Sequence, residues 1–303
     1  MLALLMPGQG SQSQGMLSPW LNEENKKELA KWSLHIDLDL ERLGSVATNE
    51  EIKDTANAQP LIVATTLISA KTLGLSSYQV VAGHSVGEIA ATALSGVLSN
   101  TDALELVRSR GLAMAKAASQ STSGMAAILG GQKGEVLSVL EQLGLVAAND
   151  NGGGQLVAAG ELAALDKLAE NPPKDSRIRP LAVAGAFHSQ FMQSAVSQVE
   201  EFVTRLQISD PKAQLLSNKD GKVVTTGKDA IARIVNQIAN PVRWDLCMES
   251  LIELGVTGAI ELAPAGTLVG LLKRATPTIE TFALKNPDEI TAAREFARKH
   301  GGA

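Results

Sequence analysis

Short apolar runs alternate with longer amphipathic stretches along this chain. Runs of four or five residues are typical of buried strands, and stretches with apolar positions three and four residues apart are typical of helices that cover a sheet. In the first half the pattern predicts strands at 2 to 6 and 79 to 82 and helices at 61 to 73, 88 to 95 and 101 to 118. We therefore expect an α/β fold with a parallel sheet at its core.

Proline and small polar residues mark where two of these helices begin. Pro60 is expected to open the helix that ends at Leu73, since proline is tolerated in the first turn of a helix. Asn100 or Thr101 is the expected N-cap of the helix that ends near Ala118.

The segment from Gly124 to Ala186 has a pattern of its own. It predicts six elements in the order β-α-β-β-α-β, which is the ferredoxin-like arrangement. The strands are expected at 125 to 129, 146 to 148, 155 to 158 and 179 to 184, and the helices at 134 to 143 and 161 to 170. We therefore expect residues 124–186 to form a ferredoxin-like small subdomain, inserted into a large α/β subdomain of residues 1–123 and 187–303.

Beyond residue 187 the chain returns to longer α/β elements. Helices are expected at 190 to 206, 229 to 239, 247 to 254 and 267 to 274, and strands at 214 to 217 and 258 to 261. The tail from Pro287 onward is polar and helical, and its closing Lys-His-Gly-Gly-Ala is expected to fray.

Composition and charge exclude several classes of protein. Aromatic residues make up only 3% of the 303 residues, which leaves few platforms for stacking bases, and the net charge of −5 argues against a phosphate-backbone ligand. No apolar run approaches the length that spans a bilayer, and the apolar start lacks the charged flank of a signal peptide. We expect a cytoplasmic protein, a monomer, that binds neither nucleic acid nor membrane.

Cysteine and histidine usage argues against disulfides and metal sites. Cys247 is the only cysteine, so it cannot form an internal disulfide, and no metal-ligand spacing surrounds it. The four histidines are scattered along the chain: His35, His84, His188 and His300. We therefore expect no metal and no cofactor.

The main chemical signal is the motif Gly83-His84-Ser85-Val86-Gly87. A serine with glycine two residues away on each side, between a strand and a helix, is the nucleophile-elbow pattern. The glycines allow a sharp turn that exposes the hydroxyl at a helix N-terminus, where free amides and the helix dipole stabilise negative charge. The motif alone is weak, but its place between strand and helix strengthens it. It indicates an α/β-hydrolase-like large subdomain with Ser85 as its nucleophile.

A serine nucleophile needs a base within hydrogen-bond reach. His188 follows the last predicted strand of the small subdomain and precedes a helix, where the chain would return to the edge of the large sheet. His84 should point away from the hydroxyl of Ser85, and His300 lies in the tail. We predict that His188 is the base; the alternative is a histidine packed at a domain hinge.

Gln9 lies in the glycine-rich turn after the first strand. In a parallel α/β sheet the loops at the carboxyl ends of strands share one crevice, so this turn can lie beside Ser85. Its main-chain N–H would then complement the N–H of Val86, the residue after the nucleophile, in an oxyanion hole. The alternative is a plain reverse turn.

Arg110 falls in the middle of the apolar stripe of helix 101 to 118, whereas Arg108 is expected on the polar side, paired with Glu105. A guanidinium directed at the core is costly unless it meets an anion or several acceptors. Arg110 should therefore bind either a buried internal carboxylate or a carboxylate brought by a substrate. The planar guanidinium, which binds a carboxylate through two parallel hydrogen bonds, favours the substrate.

Taken in order, the motifs resemble those of malonyl-CoA:acyl-carrier-protein transacylases, the free-standing acyltransferases of fatty-acid synthesis. Several unrelated motifs in the right order, along nearly the whole chain, are more specific than any one of them. The matching pieces are Pro7-Gly8-Gln9-Gly10-Ser11-Gln12, Gln59-Pro60, Gly83-His84-Ser85-Val86-Gly87-Glu88, Arg110-Gly111, Phe187-His188-Ser189, Asn240-Pro241-Val242-Arg243-Trp244 and Glu261-Leu262-Ala263-Pro264-Ala265-Gly266. One departure is Asn151-Gly152-Gly153-Gly154, where relatives usually have Pro-Gly after the asparagine; it bears only on the shape of that loop.

The resemblance implies catalytic roles for five positions. Ser85 would be acylated, and His188 would act as general base and then as general acid. The main-chain carbonyl of Gln237 would orient His188, so that no triad carboxylate is needed. The main-chain N–H groups of Gln9 and Val86 would form the oxyanion hole.

The resemblance also implies a substrate and a partner. Arg110 would bind the malonyl carboxylate, with Gln59 and Phe187 beside it; a phenylalanine directly before the histidine is similar to members that select malonyl over methylmalonyl. Malonyl-CoA would be the donor and acyl carrier protein the acceptor. Acyl carrier proteins are usually acidic, so docking on this net acidic chain would need a local basic patch, for which Lys133, Lys273 and Arg274 are candidates.

Other classes remain open at this stage. A serine hydrolase such as a thioesterase places its histidine late in the chain, where only His300 is found. A non-catalytic carrier-binding module would keep the fold without the activity, which the intact Ser85, His188 and Arg110 argue against. A patatin-like Ser–Asp pair using Asp220 is the third alternative.

Overall fold

Two β-sheets and thirteen α-helices make up the structure, a computed structural model that describes residues 1–303. The strands are β1 (Leu2–Met6), β2 (Val80–Gly83), β3 (Ser123–Gly130), β4 (Val146–Asp150), β5 (Gln155–Glu161), β6 (Ser176–Pro180), β7 (Gln214–Leu216), β8 (Val223–Val224), β9 (Val242–Arg243), β10 (Gly258–Glu261) and β11 (Glu280–Ala283). The helices are α1 (Glu23–Ile36), α2 (Leu40–Ser45), α3 (Asn49–Lys53), α4 (Thr55–Leu73), α5 (Gly87–Leu94), α6 (Asn100–Ala118), α7 (Lys133–Gln142), α8 (Leu162–Glu170), α9 (Gln193–Val203), α10 (Gly227–Gln237), α11 (Trp244–Glu253), α12 (Thr267–Ala275) and α13 (Ile290–Lys299). Short 3₁₀ helices cover Ser18–Trp20, Gln190–Met192 and Pro287–Glu289.

The six-stranded sheet brings several loops to one edge. Its strand order is β11-β10-β1-β2-β7-β8, and all neighbours are parallel except β7 and β8. Met6 pairs with Gly83, and Leu5 pairs with Glu261, so β1, β2 and β10 end together. The loops that follow these three strands therefore meet at a single edge, as is usual for ligand sites in parallel sheets.

Both faces of the six-stranded sheet are covered, which explains why its strands are continuous apolar runs. In β1, Leu2, Leu4 and Met6 belong to the larger core cluster, whereas Ala3 and Leu5 belong to the second. The larger cluster includes residues of α4, α6 and α9, and the second includes residues of α11 and α12. None of the helices combines the length and apolar character needed to cross a bilayer.

The five-stranded sheet has the order β6-β3-β5-β4-β9. Its first four strands are antiparallel and, with α7 and α8, follow one another in the predicted order β-α-β-β-α-β. Side chains of β3, β5, α7 and α8 form a separate apolar core. The short β9 comes from the segment before α11 and pairs in parallel with β4, so the main chain of this sheet is bonded directly to the rest of the molecule.

The prediction that Pro60 opens a helix is wrong. Helix α4 begins at Thr55, capped by the side chain of Asp54, and Pro60 lies inside it. Proline has no N–H for the carbonyl four residues earlier, which is that of Ala56. Arg108 Nη1 donates to this carbonyl at 2.8 Å. The predicted pairing of Arg108 with Glu105 is therefore wrong too.

Other boundaries differ in smaller ways. Strand β6, the last strand of the predicted small subdomain, covers 176–180 rather than 179 to 184, because residues 176 to 180 pair with residues 126 to 130 of β3. The N-cap of α6 is Ser99, whose Oγ accepts the N–H of Asp102, and neither Asn100 nor Thr101 has that role. The short strands β8, β9 and β11 were not predicted.

The C-terminal tail is packed rather than frayed. After α13, Gly302 is buried, and the carbonyl of Ala303 accepts the main-chain N–H of Ser77 at 2.9 Å. His300 is also buried, with Nδ1 2.9 Å from Thr257 Oγ1. The prediction that the C-terminal residues fray is therefore wrong, because a polar composition and a terminal position do not reveal contacts with distant loops.

Candidate active site

The turn between β2 and α5 holds Ser85 in a strained conformation at the wall of the cleft. Ser85 has φ +52°, in the left-handed region that residues other than glycine rarely adopt. A Cβ at Gly83 would collide with the backbone of Gly87, and a Cβ at Gly87 would collide with the main-chain carbonyl of Met6. The two glycines are therefore required for the turn, and they bring the loop after β1 against the serine.

His188 lies within hydrogen-bond reach of Ser85. Its Nε2 is 2.7 Å from Ser85 Oγ, and its Nδ1 is 2.7 Å from the main-chain oxygen of Gln237. Because a carbonyl oxygen only accepts, Nδ1 carries the proton, and Nε2 is left to accept the proton of the serine hydroxyl. His188 therefore contacts both Ser85 and the Gln237 carbonyl that was predicted to orient it. The backbone at His188 is also strained, with φ +58°.

His188 is neutral over the physiological pH range. Burial of the imidazole, followed by the nearby charge of Arg110, lowers the pKa of His188 to about 3. The hydrogen bond to the Gln237 carbonyl raises the pKa of His188, but by less than burial lowers it. The ring is therefore a free base in the resting protein, as proton abstraction from a hydroxyl requires.

Arg110 extends from α6 into the same site. The residue is 1% exposed, and its Nη2 lies 3.4 Å from Ser85 Oγ. The guanidinium also donates to Gln59 Oε1 at 2.7 Å and to Gln237 Oε1 at 2.9 Å, while its Nε has no partner. All its partners are neutral, so the alternative of a directly bound internal carboxylate is wrong. Burial lowers the pKa of Arg110 to about 10, which leaves it charged at neutral pH.

The two predicted oxyanion donors have free main-chain N–H groups. Neither the N–H of Gln9 nor that of Val86 is bonded to another residue. Val86 follows the nucleophile directly and is buried, and Gln9 lies in the turn after β1, with its side chain donating to Thr55 Oγ1 at 3.3 Å. Both N–H groups are thus available for an external acceptor.

Ser85 and His188 line a cleft of about 460 Å³ between the two sheets. Gln9, Gln59 and Phe187 line it as well. The five-stranded sheet contributes the opposite wall, from β3, β4, β5 and the loop after β4: Met125, Ala127, Asn149, Asn151, Gln155 and Val157. A ligand in this cleft would therefore contact both sheets.

His84 points away from the nucleophile, as predicted. Its Nε2 lies 2.8 Å from Asn151 Oδ1, and its ring meets that of Trp244 edge-on at 5.7 Å. Asn151 belongs to the loop in which this chain departs from the usual Pro-Gly. That loop is consequently bonded to the residue next to the nucleophile.

Sequence reasoning missed the part played by Asn218 and Glu88. Asn218 Oδ1 accepts the N–H of Ser85 and its Nδ2 donates to the carbonyl of Gly83, both at 2.8 Å, so this side chain bridges the strained turn. Glu88 is 3% exposed and bonded to the side chain of Gln237. Two signals were available: Asn218 follows a parallel strand at the edge where the loops meet, and Glu88 is the one charged residue of an otherwise apolar helix.

The residues of the alternative mechanisms lie elsewhere. Asp220 accepts from Arg233 Nη1 at 2.7 Å and does not contact Ser85, so the Ser–Asp pair is wrong. His300, the late histidine of a hydrolase arrangement, is bonded to Thr257 rather than to the nucleophile.

The chain is similar to known proteins along nearly its whole length. Residues 4–291 match the family model of the acyl transferase domain. A malonyl CoA-acyl carrier protein transacylase of Mycobacterium tuberculosis is 51% identical over 296 residues, which cover 96% of this chain and 98% of that protein. The crystal structure of MCAT from Mycobacterium tuberculosis matches with a TM-score of 0.94 at 51% identity, and covers 96% of this chain and 99% of that chain.

A further match is a malonyl-transacylase solved in complex with its type II PKS acyl-carrier protein. It has a TM-score of 0.90 at 28% identity, and covers 97% of this chain and 99% of that one. The fold and the match along residues 4–291 thus define an acyl transferase. Within that class, the chain belongs to the malonyl CoA-acyl carrier protein transacylase family.

Proposed function

We propose that this enzyme transfers the malonyl group from malonyl-CoA to the phosphopantetheine thiol of acyl carrier protein, through a malonyl ester on Ser85. The observation that carries the proposal is the position of Arg110. A buried guanidinium with only neutral partners and an unpartnered Nε lies 3.4 Å from the nucleophilic oxygen. It is available to bind the free carboxylate of a malonyl group whose thioester carbon is at Ser85.

In the first half-reaction, His188 Nε2 takes the proton of Ser85 Oγ as the oxygen attacks the thioester carbon. The N–H groups of Gln9 and Val86 stabilise the negative charge that develops on the carbonyl oxygen. The C–S bond then breaks, and the proton on His188 passes to the sulfur of coenzyme A. The carbonyl of Gln237 keeps Nδ1 protonated throughout, so the same ring nitrogen accepts and returns the proton.

The second half-reaction runs the same steps toward a different thiol. The phosphopantetheine thiol gives its proton to His188 Nε2 and attacks the ester carbon of malonyl-Ser85. The C–O bond breaks, and Ser85 recovers the proton from His188. The thiol must compete with water, and enclosure of the ester in the cleft between the two sheets favours the thiol. The reaction uses no cofactor beyond its thioester substrates.

Intact-mass analysis tests the covalent intermediate. Incubation with malonyl-CoA should add one malonyl group to the wild-type protein and none to Ser85→Ala, and added holo acyl carrier protein should remove it. Release of free malonate without carrier protein, at the rate of coenzyme A release, would instead favour a thioesterase. Absence of the adduct would favour a non-catalytic carrier-binding module.

The finer architecture belongs to the same proposal. We divide the chain into an α/β-hydrolase-like unit, residues 1–123 and 187–303, and a ferredoxin-like unit, residues 124–186. The separate apolar core and the strand order β6-β3-β5-β4 support this division. We further propose that the protein acts as a monomer in the cytoplasm; the single, buried cysteine is consistent with a reducing compartment.

Two of the three candidate cations are suited to contact the carrier protein. Lys133 is already paired with Asp150 and Asp245, so its charge is compensated. Lys273 and Arg274 lie in the last turn of α12, and Arg274 lines the cleft. We assign these two to the docking surface for an acidic carrier.

A further inference from the structure

Glu88 is a buried carboxylate that the proposed reaction does not use. It lies in the first turn of α5, three residues after the nucleophile. One of its oxygens accepts the main-chain N–H of Asn218 at 3.1 Å, and the other accepts Gln237 Nε2 at 2.5 Å. A buried carboxylate is strongly disfavoured unless a positive charge compensates it. The nearest buried positive charge is that of Arg110.

Gln237 separates these two charges. Its Oε1 accepts from Arg110 Nη2 at 2.9 Å, and its Nε2 donates to Glu88, so the amide dipole is aligned between the guanidinium and the carboxylate. A carboxylate bonded directly to Arg110 would occupy the donors that a substrate carboxylate needs. With the amide between them, the charges attract each other while those donors remain open.

We propose that Glu88 is the counter-charge of Arg110, held one side chain away so that the guanidinium stays open to the substrate carboxylate, and that Glu88 takes up a proton when that carboxylate binds. The inference rests on the proposed function, in which Arg110 binds the malonyl group. Glu88 touches neither substrate nor nucleophile, and is therefore a positioning residue that acts through Gln237.

The charges around Glu88 explain the proton uptake. Without substrate, one negative and one positive charge face each other across Gln237. A bound malonyl carboxylate adds a second negative charge beside the same guanidinium, and this favours the neutral form of Glu88. Burial raises the pKa of Glu88 to about 7, so its carboxyl group is close to the point where a nearby charge changes its protonation.

The other ionisable groups near Glu88 do not replace it in this role. Arg233 on α10 is bonded to Asp220 and Asp229, and burial raises the pKa of the Cys247 thiol on α11, which stays neutral. His188 is neutral, as shown above. Strands β1 and β2 carry no ionisable side chain, and Lys71, the only charged residue on α4, pairs with Glu24. On α6, apart from Arg110, Arg108 donates to the Ala56 carbonyl, Glu105 lies 3.7 Å from His35, Asp102 accepts from Ser99 Oγ and Lys116 is exposed.

The proposal predicts that malonyl binding weakens as the pH rises. If malonyl binding raises the pKa of Glu88, the protonated form binds better, and affinity falls as the pH rises above about 7. The fall can reach about tenfold per pH unit, the limit for linkage to one proton. An acetyl group brings no carboxylate, so acetyl-CoA should show no such dependence. Both thioesters carry the same nucleotide phosphates, whose titration cancels in the comparison.

Calorimetry in buffers of different ionisation enthalpy measures this proton directly. The Ser85→Ala protein binds without turnover and is titrated at pH 8 with malonyl-CoA and with acetyl-CoA. We expect a proton uptake approaching one for malonyl-CoA in excess of that for acetyl-CoA. Adding Glu88→Gln should abolish the excess, whereas Glu88→Asp, which keeps the charge, should retain it. Equal uptake for both thioesters, or an excess that persists in Glu88→Gln, would overturn the inference.

The active enzyme provides a second readout. The ratio of kcat/KM for malonyl-CoA to that for acetyl-CoA should fall between pH 7 and pH 9 in the wild type, and should be flat in Glu88→Gln. A merely structural role would lower both rates without changing the shape of the profile. The proposed function fails if Arg110→Ala leaves the malonyl preference intact. If that preference is lost but the proton uptake does not depend on Glu88, only the present inference fails.

Discussion

At the scale of single residues, the proposed selectivity for malonyl depends on which partners Arg110 lacks. Its three hydrogen-bond partners are uncharged amide and hydroxyl oxygens, and one of its nitrogens has none. A buried guanidinium in this state gains more from a carboxylate than an exposed one, because no water competes for it. In the proposed function, the feature that makes Arg110 costly to bury also makes it selective for an acidic acyl group.

Replacement of Arg110 by alanine should remove this selectivity. A hydrogen bond to a charged group contributes about 1.5–3 kcal/mol, so kcat/KM for malonyl-CoA should fall about 10- to 150-fold for each bond lost. The rate with acetyl-CoA should change by much less. Arg110→Lys keeps the charge without the planar geometry and should give an intermediate loss. Equal losses of kcat/KM with the two thioesters would mean that Arg110 supports the structure of the site without binding the carboxylate.

At the scale of elements, a side chain from α6 replaces a hydrogen bond that Pro60 removes from α4. Pro60 leaves the carbonyl of Ala56 without its intrahelical donor, and Arg108 from α6 supplies one. The repair also bonds α6, which carries Arg110, to α4, which carries Gln59. The interhelical bond thus contributes to the position of both Arg110 and Gln59, the side chains proposed to bind the substrate.

A double-mutant cycle measures the contribution of this hydrogen bond to stability. Arg108→Ala should lower the free energy of unfolding by about 1–2 kcal/mol, because it leaves a helix carbonyl unpaired. Pro60→Ala restores an N–H at that point, so the cost of Arg108→Ala should be smaller in the Pro60→Ala background. Glu105→Ala, which removes the partner expected from the sequence, is the matched control and should change stability by less than about 0.5 kcal/mol. Equal costs of Arg108→Ala in the two backgrounds would contradict the assignment.

The same elements show what the sequence could predict. The sequence pointed to Ser85, His188 and Gln237, which the structure brings into contact, because each lies in or beside a motif with a fixed place relative to a strand or helix. Asn218 and Glu88 were missed because no motif assigns a partner to their side chains, although their bonds span separations similar to that of the predicted Ser85–His188 pair. Strands of two residues, such as β8 and β9, are too short to show any alternation. Polar residues within a motif were therefore accessible from the sequence, and polar pairs outside the motifs were not.

At the scale of the whole molecule, the site makes stability depend on pH through two opposing groups. Burial lowers the pKa of His188 from 6.5 to about 3, so the folded protein binds fewer protons there than the unfolded chain, and stability is lost as the pH falls through this window. Burial raises the pKa of Glu88 from 4.5 to about 7, so the folded protein binds more protons, and stability is gained as the pH falls from 7 to 4.5. Between pH 6.5 and 4.5 the two contributions oppose each other.

Single variants should separate these two contributions. On acidification from pH 6.5 to 4.5, His188→Gln should gain stability relative to the wild type, since it no longer resists protonation. Glu88→Gln should lose stability relative to the wild type over the same range. Each slope can reach about 1.4 kcal/mol per pH unit, and urea unfolding at several pH values would measure both. Other carboxylates titrate equally in all variants and cancel in the differences. In the double variant the opposite slopes should offset each other, and slopes of the same sign would mean that these two groups do not set the acid response of the fold.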